Sequence, residues 1–322
     1  MSVLLVCNDP TNDLGIGLVD AALRRRGITL AMLRADRFPV EQRLAVRLDE
    51  HGYHATAPSL DGVQSIWLRH ADPGDALPEH LRADLAEAIR QQAAATLSTF
   101  LEASGLPVFD SPDVLARTPE KPRQLAIARA LGLRTPRTLI TNDFQSLRDF
   151  AAACPHGVVS KMVESVRVEA MADGAQIGGF TRVLTQEDLA DEQSLALCPM
   201  VFQERLPKVR DLRVTVVGER LFCAAVRAGE TLDWRSRPEL VAGFTPAELP
   251  PEVARAVLAY CDRIGLQFAG FDFVEDAQGE LTFIEANTLP FFHFIEQGAK
   301  LPISEAITDL LTGVCAPRCR EG

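Results

Sequence analysis

Two apolar segments, Gln267–Val274 and Glu280–Ala286, flank the turn Ala277-Gln278-Gly279, and each carries an acidic residue among large side chains. Runs of this length around a glycine turn predict an antiparallel hairpin. Asp272, in Phe271-Asp272-Phe273-Val274, and Glu285, in Phe283-Ile284-Glu285-Ala286-Asn287, then fall on neighbouring strands. Glu285 and Asn287 are two positions apart and leave the same face of one strand. Three oxygen donors converge without nitrogen or sulfur, a set suited to Mg²⁺ held between protein and nucleotide phosphates. On an exposed hairpin such residues would merely be solvated. Among Phe, Val and Ile, an unpaired carboxylate is costly to bury, so a metal or a cation is needed nearby. Asp272, Glu285 and Asn287 are therefore the candidate metal ligands.

At 322 residues the chain exceeds what one hydrophobic core usually supports, so two or three lobes are expected. Its 47% hydrophobic and 24% charged residues exclude wholesale disorder. The net charge of −11 argues against a nucleic-acid partner. No stretch approaches the roughly 20 apolar residues of a membrane span. The opening Ser2-Val3-Leu4-Leu5-Val6-Cys7 lacks a basic region before it and reads as a strand, not a signal peptide. Seven scattered cysteines form no zinc pattern, since Cys315 and Cys319 have no neighbouring partners, and they fit a reducing, cytoplasmic setting.

Residues 1–115 read as an α/β domain with a mostly parallel sheet: strands at Val3–Cys7, Ile28–Leu33 and Ser65–Leu68 alternate with helices. A hairpin is expected at Arg43–Leu48 and Tyr53–Ala57, a long helix at Pro78–Ala103, and a short strand at Pro107–Phe109. A second lobe, 116–198, holds a helix over Gln124–Leu131, an extended Arg137–Thr141, a helix capped by Asn142-Asp143, and a strand at Val158–Met162. The third, 199–322, opens with Met200–Gln203 and carries a hairpin of Leu212–Val217 and Arg220–Val226 around Gly218-Glu219.

Further residues stand out chemically. Lys161 ends an apolar run, where its ammonium either meets a phosphate or snorkels to water. Lys121, at the start of a helical segment, carries the same ambiguity, with solvation the simpler reading. Gln203 and Glu204 end a strand whose edge offers hydrogen bonds to an adenine. Arg213 stands in an apolar strand and calls for a carboxylate or phosphate partner. Arg235, beside Trp234, reads equally as a structural ion pair or a substrate clamp. Gly174 and Gly178-Gly179 suit either a flap over a nucleotide or a plain hairpin turn. There is no phosphate-binding Gly-Lys-Ser/Thr loop, no Gly-x-Ser-x-Gly elbow and no zinc-protease helix.

In their order, Lys121, Lys161, Phe202-Gln203-Glu204, Asp211-Leu212-Arg213-Val214, Asp272 and Glu285-Ala286-Asn287 resemble the motifs of the ATP-grasp ligases. Leu133–Asn142, Asp211–Gly218, Asp233-Trp234-Arg235 and Ser65-Ile66-Trp67-Leu68-Arg69 are similar to the microviridin-type graspetide synthetases, which crosslink ribosomal peptides through side-chain esters or amides. The likeness runs from about residue 60 to 298. It implies an ATP-grasp fold with an N-terminal pre-ATP-grasp α/β domain, ATP and Mg²⁺ as cofactors, and a precursor peptide with a leader as substrate. A homodimer is a further expectation from the family.

The resemblance also implies roles. Asp272, Glu285 and Asn287 would hold Mg²⁺; Lys121 and Lys161 would contact phosphates. Gln203 and Glu204 would sit at the adenine hinge with Leu206 bordering it, and Asp211 would meet the ribose or the substrate edge. Arg213 and Arg235 would hold the acceptor carboxylate or its acyl phosphate. The chain departs from the family after its metal strand, where Asn287-Thr288-Leu289-Pro290-Phe291-Phe292-His293-Phe294 replaces the usual Asn-Pro-Asn-Gly-Gln, so its acceptor-side pocket differs. The segment from Val163 to Phe180 also departs, and a leader-docking hairpin is one reading of it. Two alternatives stand: an amino-acid ligase of the ribosomal-protein glutamate ligase type, and a nucleotide-binding regulator without turnover. The second gives no physical reason to keep buried charges.

Overall fold

The computed structural model describes residues 1–50, 52–57, 60–163, 181–190, 192–227, 229, 231–232, 234, 237, 240 and 243–314. The N-terminal lobe is built on a parallel sheet in the order β2-β1-β5-β6. Its strands are β1 (Ser2–Cys7), β2 (Thr29–Arg34), β5 (Val63–Leu68) and β6 (Val108–Phe109). β1 is apolar from Val3 to Cys7 and buried throughout that run, as expected of a strand covered on both faces. Helix α1 (Leu14–Arg25) covers one face and α2 (Ala83–Ala103) the other. The expected hairpin is present as β3 (Ala45–Asp49) and β4 (Gly52–Thr56), a separate antiparallel pair. α2 begins later than its apolar pattern suggests, because the residues ahead of Ala83 form turns.

The central lobe carries an antiparallel sheet in the order β7-β10-β8-β9. It comprises β7 (Thr138–Thr141), β8 (Val158–Lys161), β9 (Arg182–Val183) and β10 (Met200–Glu204). β10 is an inner strand here, hydrogen-bonded to both β7 and β8. The sequence division at 199 sets this strand at the head of the third lobe; its partners β7 and β8 both lie in the second, a pairing between distant strands that no local pattern shows. Helices α3 (Pro112–Ala116), α4 (Lys121–Ala130), α5 (Phe144–Ala152) and α6 (Glu192–Leu197) complete the lobe and its approach. Asp143 caps α5 by accepting from the Ser146 amide at 2.8 Å.

The C-terminal sheet runs β13-β12-β11-β14-β15 and is antiparallel. Its strands are β11 (Arg210–Val217), β12 (Arg220–Val226), β13 (Thr245–Pro246), β14 (Phe268–Glu275) and β15 (Leu281–Thr288). One face packs on α7 (Pro251–Ile264), through Val257, Tyr260 and Cys261 against Phe271, Phe273 and Phe283. No expectation from sequence covers this helix. It ends in a left-handed turn at Gly265, φ +93°, where a side chain would be strained.

A shared core fastens the N-terminal lobe to the C-terminal sheet. Val3, Leu5, Val19 and Trp67 pack with Val217, Phe268 and Phe292, and with α8 (His293–Ala299) and α9 (Ile303–Leu311). Asp110 accepts hydrogen bonds from the amides of Gln267 (2.7 Å) and Phe268 (3.0 Å). Arg69, only 1% exposed, donates to Asp13 and to the Pro290 carbonyl (3.1 Å), crossing the boundary between lobes.

Candidate active site

A cleft opens between the central and C-terminal sheets, with the strands of both exposing their inner faces to it. Lys121, Lys161, Gln203, Glu204, Leu206, Asp211, Asp272 and Glu285 all line it. Residues scattered over 165 positions of sequence are thus brought together. Arg213 and Asn287 stand at its edge, bonded to Asp272. Arg235 lies outside the described residues, as do Gly174 and Gly178-Gly179 and most of the Val163–Phe180 segment.

The cluster rests on strand register. Arg213 on β11 is opposite Asp272 on β14, which is opposite Glu285 on β15, so the three side chains form a row across three strands. Beyond Asp272 the register shifts: Phe273 pairs with Phe283, leaving Ile284 as an extra residue. This irregularity lets Phe283 stay in the core while Glu285 joins Asp272 on the cleft face. Arg213 Nη1 donates to both Asp272 oxygens, at 2.9 and 3.0 Å. Asn287 Nδ2 donates to Asp272 Oδ2 at 3.0 Å and to Glu285 Oε1 at 3.4 Å. Lys121 Nζ approaches Glu285 Oε2 at 3.7 Å, so the lysine read most simply as solvated faces the cleft. The cations that buried carboxylates demand are present.

The Glu285 strand is held from behind: Gln124 on α4, 7% exposed, donates to the Pro119 carbonyl and accepts from the Ala286 amide at 2.9 Å. At the other end of the cleft, Gln203 donates to Thr138 Oγ1 at 3.1 Å. Glu204 accepts from the Arg137 amide at 2.8 Å and lies 3.4 Å from its guanidinium. Both side chains are therefore engaged toward β7. Lys208, which sequence reasoning missed, donates to both Asp211 oxygens (2.8 and 2.7 Å) and to the Leu232 carbonyl. Its place three residues before Asp211 was the available signal.

Among the described residues, no three His, Cys, Asp or Glu side chains form a metal cage. Asp272 and Glu285 supply two opposed carboxylates, and Asn287 adds an amide oxygen. Hard oxygen donors in this number suit Mg²⁺ when phosphates complete the shell, so the donor chemistry fits.

The MvdD pre-ATP grasp domain matches residues 2–113, and the RimK-like ATP-grasp domain matches 183–311. The macrocyclase MdnC of Microcystis aeruginosa MRC, solved with its precursor peptide MdnA, superposes with TM-score 0.84 at 27% identity, covering 97% of this chain and 100% of that one. A RiPP-associated ATP-grasp ligase of Chryseobacterium gregarium, solved with ADP and a leader and core peptide, gives TM-score 0.88 at 26% identity over 98% of each chain. A Shewanella amazonensis protein named "Probable alpha-L-glutamate ligase 2" is 26% identical over 211 residues, 63% of this chain and 66% of that protein. The chain spans just under two thirds of the length of such curated relatives.

The chain belongs to the ATP-grasp ligases, with their grasp of two sheets around a cleft. Within them, it carries an MvdD-type first domain and is similar to solved macrocyclases along almost its whole length.

Proposed function

We propose that this protein uses Mg²⁺-ATP to activate a side-chain carboxylate of a ribosomally made precursor peptide and then joins it to a hydroxyl or amine as an ester or amide. The observation that carries this reading is the row Arg213–Asp272–Glu285, with Asn287 beside it, at the edge of a cleft that also holds Lys121 and Lys161. Attack of a carboxylate on the terminal phosphate of ATP sets anion against anion. Positioning and charge neutralisation therefore dominate such a step, and no nucleophilic side chain is needed.

In this reading Asp272, Glu285 and Asn287 hold Mg²⁺, whose charge when bound would offset that of the phosphates. Lys121 and Lys161 contact the phosphates. Gln203, Glu204 and Leu206 border the adenine, and Asp211 with Lys208 borders the ribose side. Arg213, fixed by Asp272, presents its remaining guanidinium edge to the substrate carboxylate, as Arg235 would from its loop. We divide the chain into lobes at 1–115, 116–198 and 199–322, with β10 passing from the head of the third into the sheet of the second. The partner class is supported by the solved relatives: MdnC with MdnA, and PsnB with its minimal precursor, Mg and ADP. A homodimer belongs to the same proposal, read by light scattering. A cytoplasmic setting belongs to the same proposal, supported by Cys7, Cys154, Cys198 and Cys223, which form no disulfide.

A second reading has its own observation: the likeness to glutamate ligases extends over 63% of the chain. The experiment is ADP release with Mg²⁺-ATP, with and without short peptides encoded beside the gene, followed by intact peptide mass. Loss of water in whole multiples, coupled to ADP and abolished by Glu285→Gln, is the expected result. ADP release without dehydration points to an external amine, hence the amino-acid ligase. ATP binding with no ADP in any condition overturns both.

A further inference from the structure

A second pocket, about 470 Å³, adjoins the first between the N-terminal lobe and the C-terminal sheet. Arg213 and Trp234 line it, and Trp234 lines the first cleft as well. Asn287, bonded to both Asp272 and Glu285, forms another part of its wall. The rest comes from Asn12, His70, Thr288–Phe291, His293 and Phe294. A group entering here meets the reacting end of the cleft from the side opposite the adenine hinge.

Two histidines face this pocket and differ in their commitments. His70 stacks on Phe291 (5.1 Å between ring centres) and bonds to the Leu289 backbone. His293 lies edge-on to Phe294 at 5.6 Å, and its Nδ1 is buried without a hydrogen-bond partner. A buried polar atom left unpaired calls for an explanation, and a missing ligand is one. Resting on the ligase reading above, we propose that this pocket seats the hydroxyl or amine nucleophile of the peptide and that His293 accepts its proton.

Burial holds the His293 imidazole in its neutral form, opposed by Asp13. The other charged or titratable groups described at this pocket are committed: Asp13 to Arg69, Arg213 to Asp272, and His70 to Leu289. The neutral imidazole is the form that accepts a proton. In the step, the nucleophile's O–H or N–H bond breaks and its proton passes to the His293 imidazole. The new C–O or C–N bond forms at the acyl carbon, and the C–O bond to phosphate breaks with its electron pair leaving on phosphate. The proton then follows to phosphate, so the ring is restored and nothing external is consumed.

The test separates the two half-reactions with hydroxylamine, a nucleophile that attacks acyl phosphates without a protein base. Wild-type enzyme with Mg²⁺-ATP and the peptide should dehydrate it, and in hydroxylamine should give peptide hydroxamate. His293→Gln should still yield hydroxamate while crosslinking slows by about 10²-fold, within the range for loss of a general base. His293→Ala should regain crosslinking on addition of imidazole. Crosslinking by His293→Gln at the wild-type rate, or loss of hydroxamate in parallel with crosslinking in a variant that melts like wild type, would overturn the assignment. A wild-type enzyme that gives neither ADP nor hydroxamate with the peptide sinks the ligase reading itself, a failure distinct from one confined to His293.

Discussion

The guanidinium of Arg213 lies across Gly270 of the neighbouring strand: a Cβ at Gly270 would sit 2.4 Å from Nη2 and 2.5 Å from Cζ. Gly270 is opposite Asn287 on its other side, so the missing side chain opens the space through which Arg213 reaches Asp272. Gly270→Ala is expected to displace Arg213, lowering stability by about 1–3 kcal/mol, as overpacking does. ADP release should fall more than ten-fold. Thermal melting and ADP release check this; a variant of wild-type activity would show that Arg213 needs no fixed position.

Asp272 and Glu285 differ in their partners, and their variants should differ accordingly. Asp272→Asn removes the charge facing a nearly buried Arg213, a loss of about 3 kcal/mol in apo stability by analogy with broken buried pairs. Glu285, whose carboxylate meets Lys121 at 3.7 Å and the Asn287 amide at 3.4 Å, faces no such close guanidinium among the described residues, and Glu285→Gln should cost less stability. Both should erase the rise in melting temperature given by ADP with Mg²⁺ over ADP alone. Retention of that Mg²⁺-dependent rise in either variant would remove that residue from the proposed metal site.

Arg69 is the link between the first lobe and the acceptor-side segment. Its guanidinium bonds Asp13 and the Pro290 carbonyl and lies over the rings of Trp67 (5.6 Å) and Phe268 (5.3 Å). Arg69→Ala strands a buried Asp13 and should destabilise the protein by about 3–5 kcal/mol. Arg69→Met with Asp13→Leu removes both charges and should recover most of that loss. Urea unfolding of the single and double variants measures the coupling; equal losses in the two would show that the charges do not depend on each other.

The contact between α1 and α9 sets an acid limit. The Arg25 and Arg26 guanidiniums hold the Glu305 carboxyl below its ordinary range. Burial pushes the Asp309 carboxyl up, but Arg26 and Arg220 together outweigh it and leave it lowered. A carboxylate lowered on folding stabilises above its unfolded value, and that stability is lost as pH falls through the folded one. Stability should therefore fall with pH below about 4, where unfolded carboxyls begin to bind protons. Melting temperatures from pH 7 to pH 3 should decline less steeply for Glu305→Gln with Asp309→Asn. An unchanged slope would place the acid sensitivity elsewhere.

The sequence by itself determined the parts whose physics is local. Alternation, glycine turns and caps locate both C-terminal hairpins, the parallel strands of the first lobe and the start of α5. The cost of burying Asp272 and Glu285 among aromatics was enough to mark the candidate site, because a charge in an apolar strand needs a partner wherever the strand lies. α7 lies outside that reading, although its amphipathic pattern is present, and the division at 199 separates β10 from the strands it pairs with. Only the tertiary structure decided which strands neighbour one another: β10 with β7 and β8, and β11 with β14. That pairing assigns Arg213 to Asp272 and brings Lys121 to Glu285. It also sets Asn12, His70 and His293, from both ends of the chain, around one pocket. Such contacts depend on register and lobe packing between distant segments, and no local pattern encodes them.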